Sequence, residues 1–395
     1  MKKKYNPLKK AAFITLIIVL IISQTGCGSN LKTNTNQGIS KTGFYLDTIC
    51  TITIFGIKDE EASLAAMNSD EQQRSIYQLI TDAFKLCDEY EKILSKTIDT
   101  SDIAKINHAE GKPVSVSDTA IEVIKKGIEY GKLSDGAFDI TIGKATDLWN
   151  FHDADEPVAD KQDEQQAQKE TSGSDSETEA ESGKIPDADV LADAVKHVDY
   201  TKIKIDGNQV TLEDAEMELD LGGIAKGYIA DKVTSFLEEK GVTSAIVDLG
   251  GNIAAIGGKS FELIDNGKDE TSDFVIGIKD PQSETGQLLG TVQAKDKTIV
   301  TSGTYERYFI ADGKKYHHIL NSKTGWPTDT DVLSVTILAE KGHSVDCDGL
   351  STSCLALGLE KGQALISKVP GAEAVFVTTD GTVATTSDDI GLKQE

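Results

Sequence analysis

The chain has 395 residues, a formal net charge of −25 and 38% hydrophobic residues. This length allows one large domain or two ordinary ones, with enough apolar material to bury a core. So large an acidic excess argues against nucleic acid as a partner, because phosphate backbones are bound by clustered cations.

The chain opens on Lys2, Lys3, Lys4, Lys9 and Lys10, followed by an apolar run, Ala11–Ile22, too short for a comfortable membrane span. Gly26-Cys27 comes next, so residues 1–26 read as a secretory leader ending at a cysteine. Residues 27–43 read as a polar tether, and 44–395 as the folded domain. Thr48–Phe55 alternates Thr and Ile as a strand does. Ile76, Leu79, Ile80, Ala83, Phe84, Cys87 and Tyr90 form a helical stripe. Ser101 caps a short helix to Asn107, and Asp118 caps another that carries Ala120, Val123, Ile124 and Ile128. Ser134–Gly143 is a glycine-containing loop that enters an apolar segment ending at Trp149.

Residues 153–187 are rich in Glu, Asp, Gln and Ser and nearly devoid of apolar residues, the composition of a disordered acidic insert. Strands dominate afterwards: Ile203–Ile205, Gln209–Leu212, Met217–Leu221, Ala245–Leu249, Phe274–Ile278, Gly290–Ala294, Tyr305–Ile310, Val332–Ala339 and Ala374–Thr378. Helices follow Gly223 and span Val345–Leu359. Mixed, short-looped strands with few helices predict an α+β fold, a single domain of largely antiparallel sheets with flanking helices. Cys50, Cys87, Cys347 and Cys354 form no Cys-x-x-Cys pair and read as buried free thiols.

Three stretches could carry chemistry. Asp220-Leu-Gly-Gly-Ile-Ala-Lys226 runs from an extended segment through a glycine turn into a helix. That is either plain turn chemistry or an anion site built on the first helical N–H groups. Asp220 would repel a phosphate there unless a cation or a donor on the ligand lay between. Asp-Leu-Gly-Gly recurs at Asp248–Gly251, which four residues cannot distinguish from coincidence. His317 and His318 sit side by side on a strand, so they point to opposite faces and at most one can serve a shared pocket as general base. Asp348 and Thr352 share one helical face. A carboxylate with a hydroxyl suits Mg²⁺ or Ca²⁺ and not zinc, but acids also simply stabilise helix starts.

Taken in series, these motifs resemble the FAD:protein FMN transferase family, also called ApbE. They are Leu46-Asp-Thr48, Gly136-Ala-Phe-Asp-Ile-Thr-Ile-Gly143, Asp220–Gly227, Thr301-Ser-Gly303 with Tyr305-Glu-Arg-Tyr308, His317-His-Ile319 with Thr324-Gly325, and Asp348 with Ser351-Thr352. The resemblance implies an ApbE-like domain that binds FAD and, with Mg²⁺, transfers its FMN half to a threonine or serine of an extracytoplasmic electron-transfer protein, with AMP leaving. It implies His318 as the catalytic histidine. Asp348, Thr352 and the carbonyl of Gly223 would be the metal ligands, and Leu46, Ala137, Phe138, Asp139, Asp220, Lys226 and Ile319 would be FAD contacts. Leu46 stands where the family usually has methionine, and Thr97 where it often has an aromatic residue. The leader resembles that of a bacterial lipoprotein, which implies lipidation of Cys27 and anchoring on the extracytoplasmic face of the cell membrane. With the same residues, an FAD diphosphatase or a non-catalytic FAD-binding lipoprotein are the alternative readings.

Overall fold

The computed structural model describes residues 38–58, 64, 67–149, 151, 184–261, 263–265, 271–283 and 285–394. The leader, Cys27 and nearly all of the acidic insert lie outside these residues.

A nine-stranded sheet organises the described chain. Eight strands run in the order Ile39–Tyr45, Thr48–Lys58, Val242–Leu249, Asn252–Ile256, Lys297–Gly303, Val332–Glu340, Glu373–Thr378 and Val383–Thr385, each pair antiparallel. The short Ile264–Asp265 pairs parallel with Thr48–Lys58. Alternation sends side chains to two layers. Ile52, Ile54, Val247, Val300 and Ile337 join the main core with Phe84, Ile124, Ile229 and Leu350 of the helices. Ala255, Ile299, Leu338 and Val375 point the other way. They pack against Phe274 and Val292 of a three-stranded sheet formed by Phe274–Lys279, Leu288–Ala294 and Lys393–Gln394. Helices on one face and largely antiparallel sheets make this an α+β fold, as expected.

A third, aromatic core stands apart. Trp149 and Phe151 stack, and Phe309, Tyr316 and Trp326 close around them, with Trp149 Nε1–H donating to the Gly325 carbonyl at 2.8 Å. This cluster holds the two-stranded ribbon Tyr308–Ala311 and Lys314–His317 in place.

Several expected boundaries move. Residues 39–43, assigned to the tether, lie in the edge strand Ile39–Tyr45. Its polar side chains pair across the ladder, Thr42 with Thr51 at 3.0 Å and Ser40 with Thr53 at 2.9 Å. Met217–Leu221 is not a strand: it is extended and makes one parallel bridge, Glu218 to Ile142. Tyr305–Arg307 form a turn, and that strand begins at Tyr308. Ser117, not Asp118, caps the helix Asp118–Leu133 by accepting the Ala120 N–H. The helix expected to reach Leu359 ends at Leu357, where Gly358 adopts φ 81°, and a further helix, Leu359–Ile366, follows. Asp187, assigned to the insert, caps the helix Ala188–Ala194. Cys50, Cys87, Cys347 and Cys354 are buried free thiols.

Candidate active site

The site is built on two helices that lock each other. Gly227, in the first turn of helix Ala225–Glu239, lies so close to helix Ser344–Leu357 that a Cβ there would sit 2.2 Å from the Ser344 carbonyl oxygen. The contact is reciprocal. Gly227 N–H donates to Asp348 Oδ2 at 2.9 Å, while Asp231 accepts the Ser344 and Val345 N–H groups at 2.9 and 3.0 Å. Each helix thus supplies the carboxylate that occupies the other's N-terminus, where the helix dipole favours an anion. Of the two readings of the N-terminus after Gly223, the anion site needs open N–H groups. Instead, the Gly227 N–H is already given to Asp348.

Asp348 is buried, and burial raises its carboxyl pKa against the opposing pull of Lys226 and the Gly227 N–H. Thr352 lies one turn further on. Gly223 adjoins it: a Cβ on Gly223 would be 3.5 Å from Thr352 Oγ1 and 3.0 Å from the Phe138 ring. Ser302 hydrogen-bonds Ser351 at 2.8 Å and approaches Thr352 Oγ1 at 3.4 Å. Among the described residues no three His, Cys, Asp or Glu side chains gather as a metal cluster. A lone carboxylate with a hydroxyl and a backbone carbonyl nearby is the donor set of a hard cation that keeps waters and shares phosphate oxygens. The buried Asp348 carboxylate, with no salt bridge in the described structure, fits such a cation.

Asp220 lies at the other end of the same turn. Its N–H donates to the Ile140 carbonyl at 2.7 Å, and its Oδ1 accepts the Gly222 N–H at 2.9 Å. Its Oδ2 accepts the Thr146 hydroxyl at 2.7 Å and faces Lys96 Nζ at 3.2 Å. Lys96 is largely buried and also reaches Asp147 at 2.7 Å, the Gly143 carbonyl at 3.0 Å and Thr146 Oγ1 at 2.6 Å. Burial would raise the Asp220 pKa, but Lys96, the Gly222 N–H and Thr146 prevail and hold it down at about 2. Burial would likewise lower Lys96, yet Asp220 and Asp147 keep it above its ordinary value. A cation of the chain itself, Lys96, therefore compensates Asp220.

The loop Ala137-Phe138-Asp139 lies beneath this turn. Phe138 is buried, edge-on to Tyr130. The Asp139 carboxylate accepts the Thr141 N–H and hydroxyl at 2.9 and 2.6 Å and the Tyr200 N–H at 2.9 Å. With its oxygens so engaged, Asp139 organises the loop, and a ligand beside it is left the loop backbone. Leu46 packs partly buried at the tip of the first hairpin, and Ile319 is buried in the main core.

The ribbon ends at His317, so His318 lies just past it. His317 is buried and meets the Thr328 carbonyl through Nε2 at 3.1 Å. His318 is half-buried; its N–H and its Nδ1 both meet the Arg307 carbonyl, at 3.1 and 3.2 Å. A carbonyl only accepts, so Nδ1 carries the proton and Nε2 the lone pair. Burial chiefly, with Arg307, lowers His318 to about 3, so the ring is neutral. Glu306 reaches solvent, yet enclosing protein raises its carboxyl to about 7, with Lys226 pulling down and Asp348 pushing up.

Lys226 ties these groups together. Its ammonium donates to the Gly222 carbonyl at 3.3 Å and acts electrostatically on Asp348, Glu306 and His318 alike. A depression elsewhere, lined by Lys297, Glu340, Gln363 and Asp389, includes none of these residues. Lys96, Arg307 and Glu306 were not singled out from sequence. The last two lie inside the quoted Tyr-Glu-Arg-Tyr motif, whereas Lys96 carries no local signal.

Residues 46–376 match the model of the ApbE family. The chain is 29% identical over 375 residues to an FAD:protein FMN transferase of Treponema pallidum, covering 93% of this chain and 91% of that protein. It is 32% identical over 305 residues to one of Klebsiella pneumoniae, covering 76% and 82%. Among solved structures, the ApbE protein of Thermotoga maritima superposes with a TM-score of 0.70 at 26% identity, covering 91% of this chain and 100% of that one. The flavin transferase ApbE of Vibrio cholerae shares the fold, with a TM-score of 0.66 at 23% identity, covering 88% and 96%.

Proposed function

This chain belongs to the ApbE family, and from that premise we propose that it is an FAD:protein FMN transferase. It moves the FMN half of FAD onto a threonine or serine hydroxyl of an extracytoplasmic electron-transfer protein, with Mg²⁺, and releases AMP. The observation that carries the reading is the buried Asp348 carboxylate at the start of helix Ala225–Glu239, with Gly223 against Thr352 one turn on, together with a His318 ring whose Nδ1–H is held by the Arg307 carbonyl.

Attack of a hydroxyl on a phosphoanhydride needs charge neutralisation, positioning and a place for the proton. Asp348, Thr352 and the Gly223 carbonyl would hold Mg²⁺, which when bound neutralises the diphosphate and stabilises the leaving phosphate. Lys226 adds a cation at the same turn. Asp220, its charge compensated by Lys96, can lie beside FAD without repelling its phosphates. His318 Nε2 takes the proton from the acceptor hydroxyl. An anionic diphosphate beside it raises its pKa, toward the range useful for proton transfer. Leu46, Phe138, Ile319 and the Ala137–Asp139 backbone bound the rest of the FAD pocket.

The test is to incubate the purified protein with FAD, Mg²⁺ and a candidate acceptor. Flavin fluorescence on the acceptor in a denaturing gel supports transfer. Free FMN without labelled acceptor indicates a diphosphatase, and unchanged FAD a carrier. We also propose that Cys27 is lipidated and anchors the enzyme on the extracytoplasmic face of the cell membrane. A Cys27→Ala chain released from the membrane fraction fits that proposal, and one that stays bound opposes it.

A further inference from the structure

Arg307 touches both sides of the site through different atoms. Its Nη2 donates to the Asp47 carbonyl at 2.8 Å, across a sequence separation of 260 residues. Its own carbonyl accepts both the N–H and the Nδ1–H of His318. Asp47 and Leu46 form the two-residue turn between Tyr45 and Thr48, with φ 54° and 56°. Two successive left-handed residues suit the twist of a tight hairpin, a turn that strongly favours Asn-Gly or Asp-Gly. Leucine and aspartate at these positions leave the backbone strained, leucine the more so. An added donor on the Asp47 carbonyl therefore does more here than in a relaxed turn.

We propose that Arg307 is a positioning residue that couples the flavin-side turn at Leu46–Asp47 to the orientation of the His318 imidazole. The proposal rests on the transferase reading above. In this arrangement the guanidinium holds the turn so that Leu46 stays against the core, and the turn in return fixes the Arg307 backbone. The Arg307 carbonyl then selects the Nδ1–H tautomer and leaves the His318 lone pair on Nε2. Neither contact passes through the metal ligands. Arg307 moves no proton itself.

Arg307→Met keeps the apolar stem and removes the donors. Loss of this exposed charge-assisted hydrogen bond on a strained turn predicts a fall of about fivefold in FAD affinity. A second fall of similar size is expected in single-turnover flavin transfer at saturating FAD, because His318 loses its fixed direction. Arg307→Lys should retain part of both, and free guanidinium ion at low, non-denaturing concentration should restore part of both to Arg307→Met. Asp47→Gly relaxes the turn, so Arg307→Met should cost less FAD affinity in that background. Nitrogen NMR of the imidazole gives a readout that needs no turnover: His318 should be the Nδ1–H tautomer in the wild type and a mixture in Arg307→Met. Unchanged transfer at saturating FAD with an unchanged tautomer would overturn the coupling, as would equal losses with and without Asp47→Gly. A wild type that transfers no flavin but shows the tautomer change and the affinity loss would sink the transferase reading and leave the clamp standing.

Discussion

Replacing Lys96 by methionine tests the claim that a buried cation of the chain holds the Asp220 end of the site. Methionine fills similar volume, so the main loss is charge and hydrogen bonds. Asp220 is held at about 2, against an ordinary value near ~3.9 in an unfolded chain. A depressed carboxyl stabilises the fold above its unfolded pKa, and that contribution is lost as pH falls through the folded value. The shift corresponds to roughly 2–3 kcal/mol near neutral pH. Removing one partner of a buried pair costs about 3–5 kcal/mol by a separate route, so ~3 kcal/mol is the working figure. Chemical denaturation of wild type and variant across pH measures it. The difference should be largest near pH 7 and should narrow between about pH 4 and pH 2, where Asp220 takes up its proton. In the variant, burial acts on Asp220 without its counter-charge, so that part of the acid sensitivity should disappear. The double variant Lys96→Met/Asp220→Asn should recover at least ~1 kcal/mol over the single one, because no uncompensated charge remains. A single variant within ~0.5 kcal/mol of wild type at pH 7, with the same acid profile, would refute the reasoning.

Other perturbations follow from the same geometry. Gly227→Ala places a methyl against the Ser344 carbonyl; it should destabilise by about 1–3 kcal/mol or more in a denaturant titration and lower Mg²⁺-dependent turnover along with it. Asp348→Ala removes the one carboxylate assigned to the metal, so transfer should be abolished at low Mg²⁺ and partly recovered at high Mg²⁺. Full activity of that variant at low Mg²⁺ places the metal elsewhere. His318→Ala should keep FAD binding while single-turnover transfer falls roughly a hundredfold or more, with the residue rising with pH as the acceptor hydroxyl ionises unaided. His317→Ala should keep most of its transfer and lose stability instead, because its Nε2–H bond to Thr328 lies inside the fold; a dead His317 variant beside a working His318 variant reverses the assignment.

Much of the sheet was legible because burial leaves a period of two in the side chains. Thr48–Phe55, inside the strand Thr48–Lys58, and Gln209–Leu212, in a separate three-stranded sheet, alternate and are strands. Met217–Leu221 shows where that signal stops. Met217, Leu219 and Leu221 are all buried, as the alternation says, but the backbone makes a single bridge. Alternation reports which side chains face the core, not whether a neighbouring strand is present to complete a ladder. Ile39–Tyr45 fails in the opposite sense. Its Ser, Lys and Thr residues show no apolar face, since it is an edge strand held by backbone pairing and hydroxyl contacts. At the site, Asp220, Lys226, Asp348 and Thr352 were legible because each lies in a short motif that keeps its spacing on a turn or helix face. Lys96 was not, because its partners Gly143, Thr146, Asp147 and Asp220 lie far along the chain and meet it only through packing.

The two histidines show why a motif alone could not choose between them, and why their hydrogen bonds can. Each ring meets a backbone carbonyl, so each must present a proton there. For His317 the proton is on Nε2, and Nδ1 is left buried without a partner among the described residues. For His318 the proton is on Nδ1, and Nε2 keeps the lone pair. The two adjacent residues are thus opposite tautomers, and only the partner carbonyls, Thr328 and Arg307, decide it. Burial lowers both rings, His317 to about 4 and His318 to about 3, so both are neutral and neither is distinguished by charge. What separates them is surroundings. The lone pair of His317 is buried in the fold, without a partner among the described residues. His318 is within the electrostatic reach of Lys226, the same cation that acts on Asp348. A base for anhydride chemistry must be neutral before the reaction and must gain basicity as negative charge arrives beside it. Of the two, His318 is the ring placed where an anionic ligand at the Asp220–Lys226 turn would supply that charge.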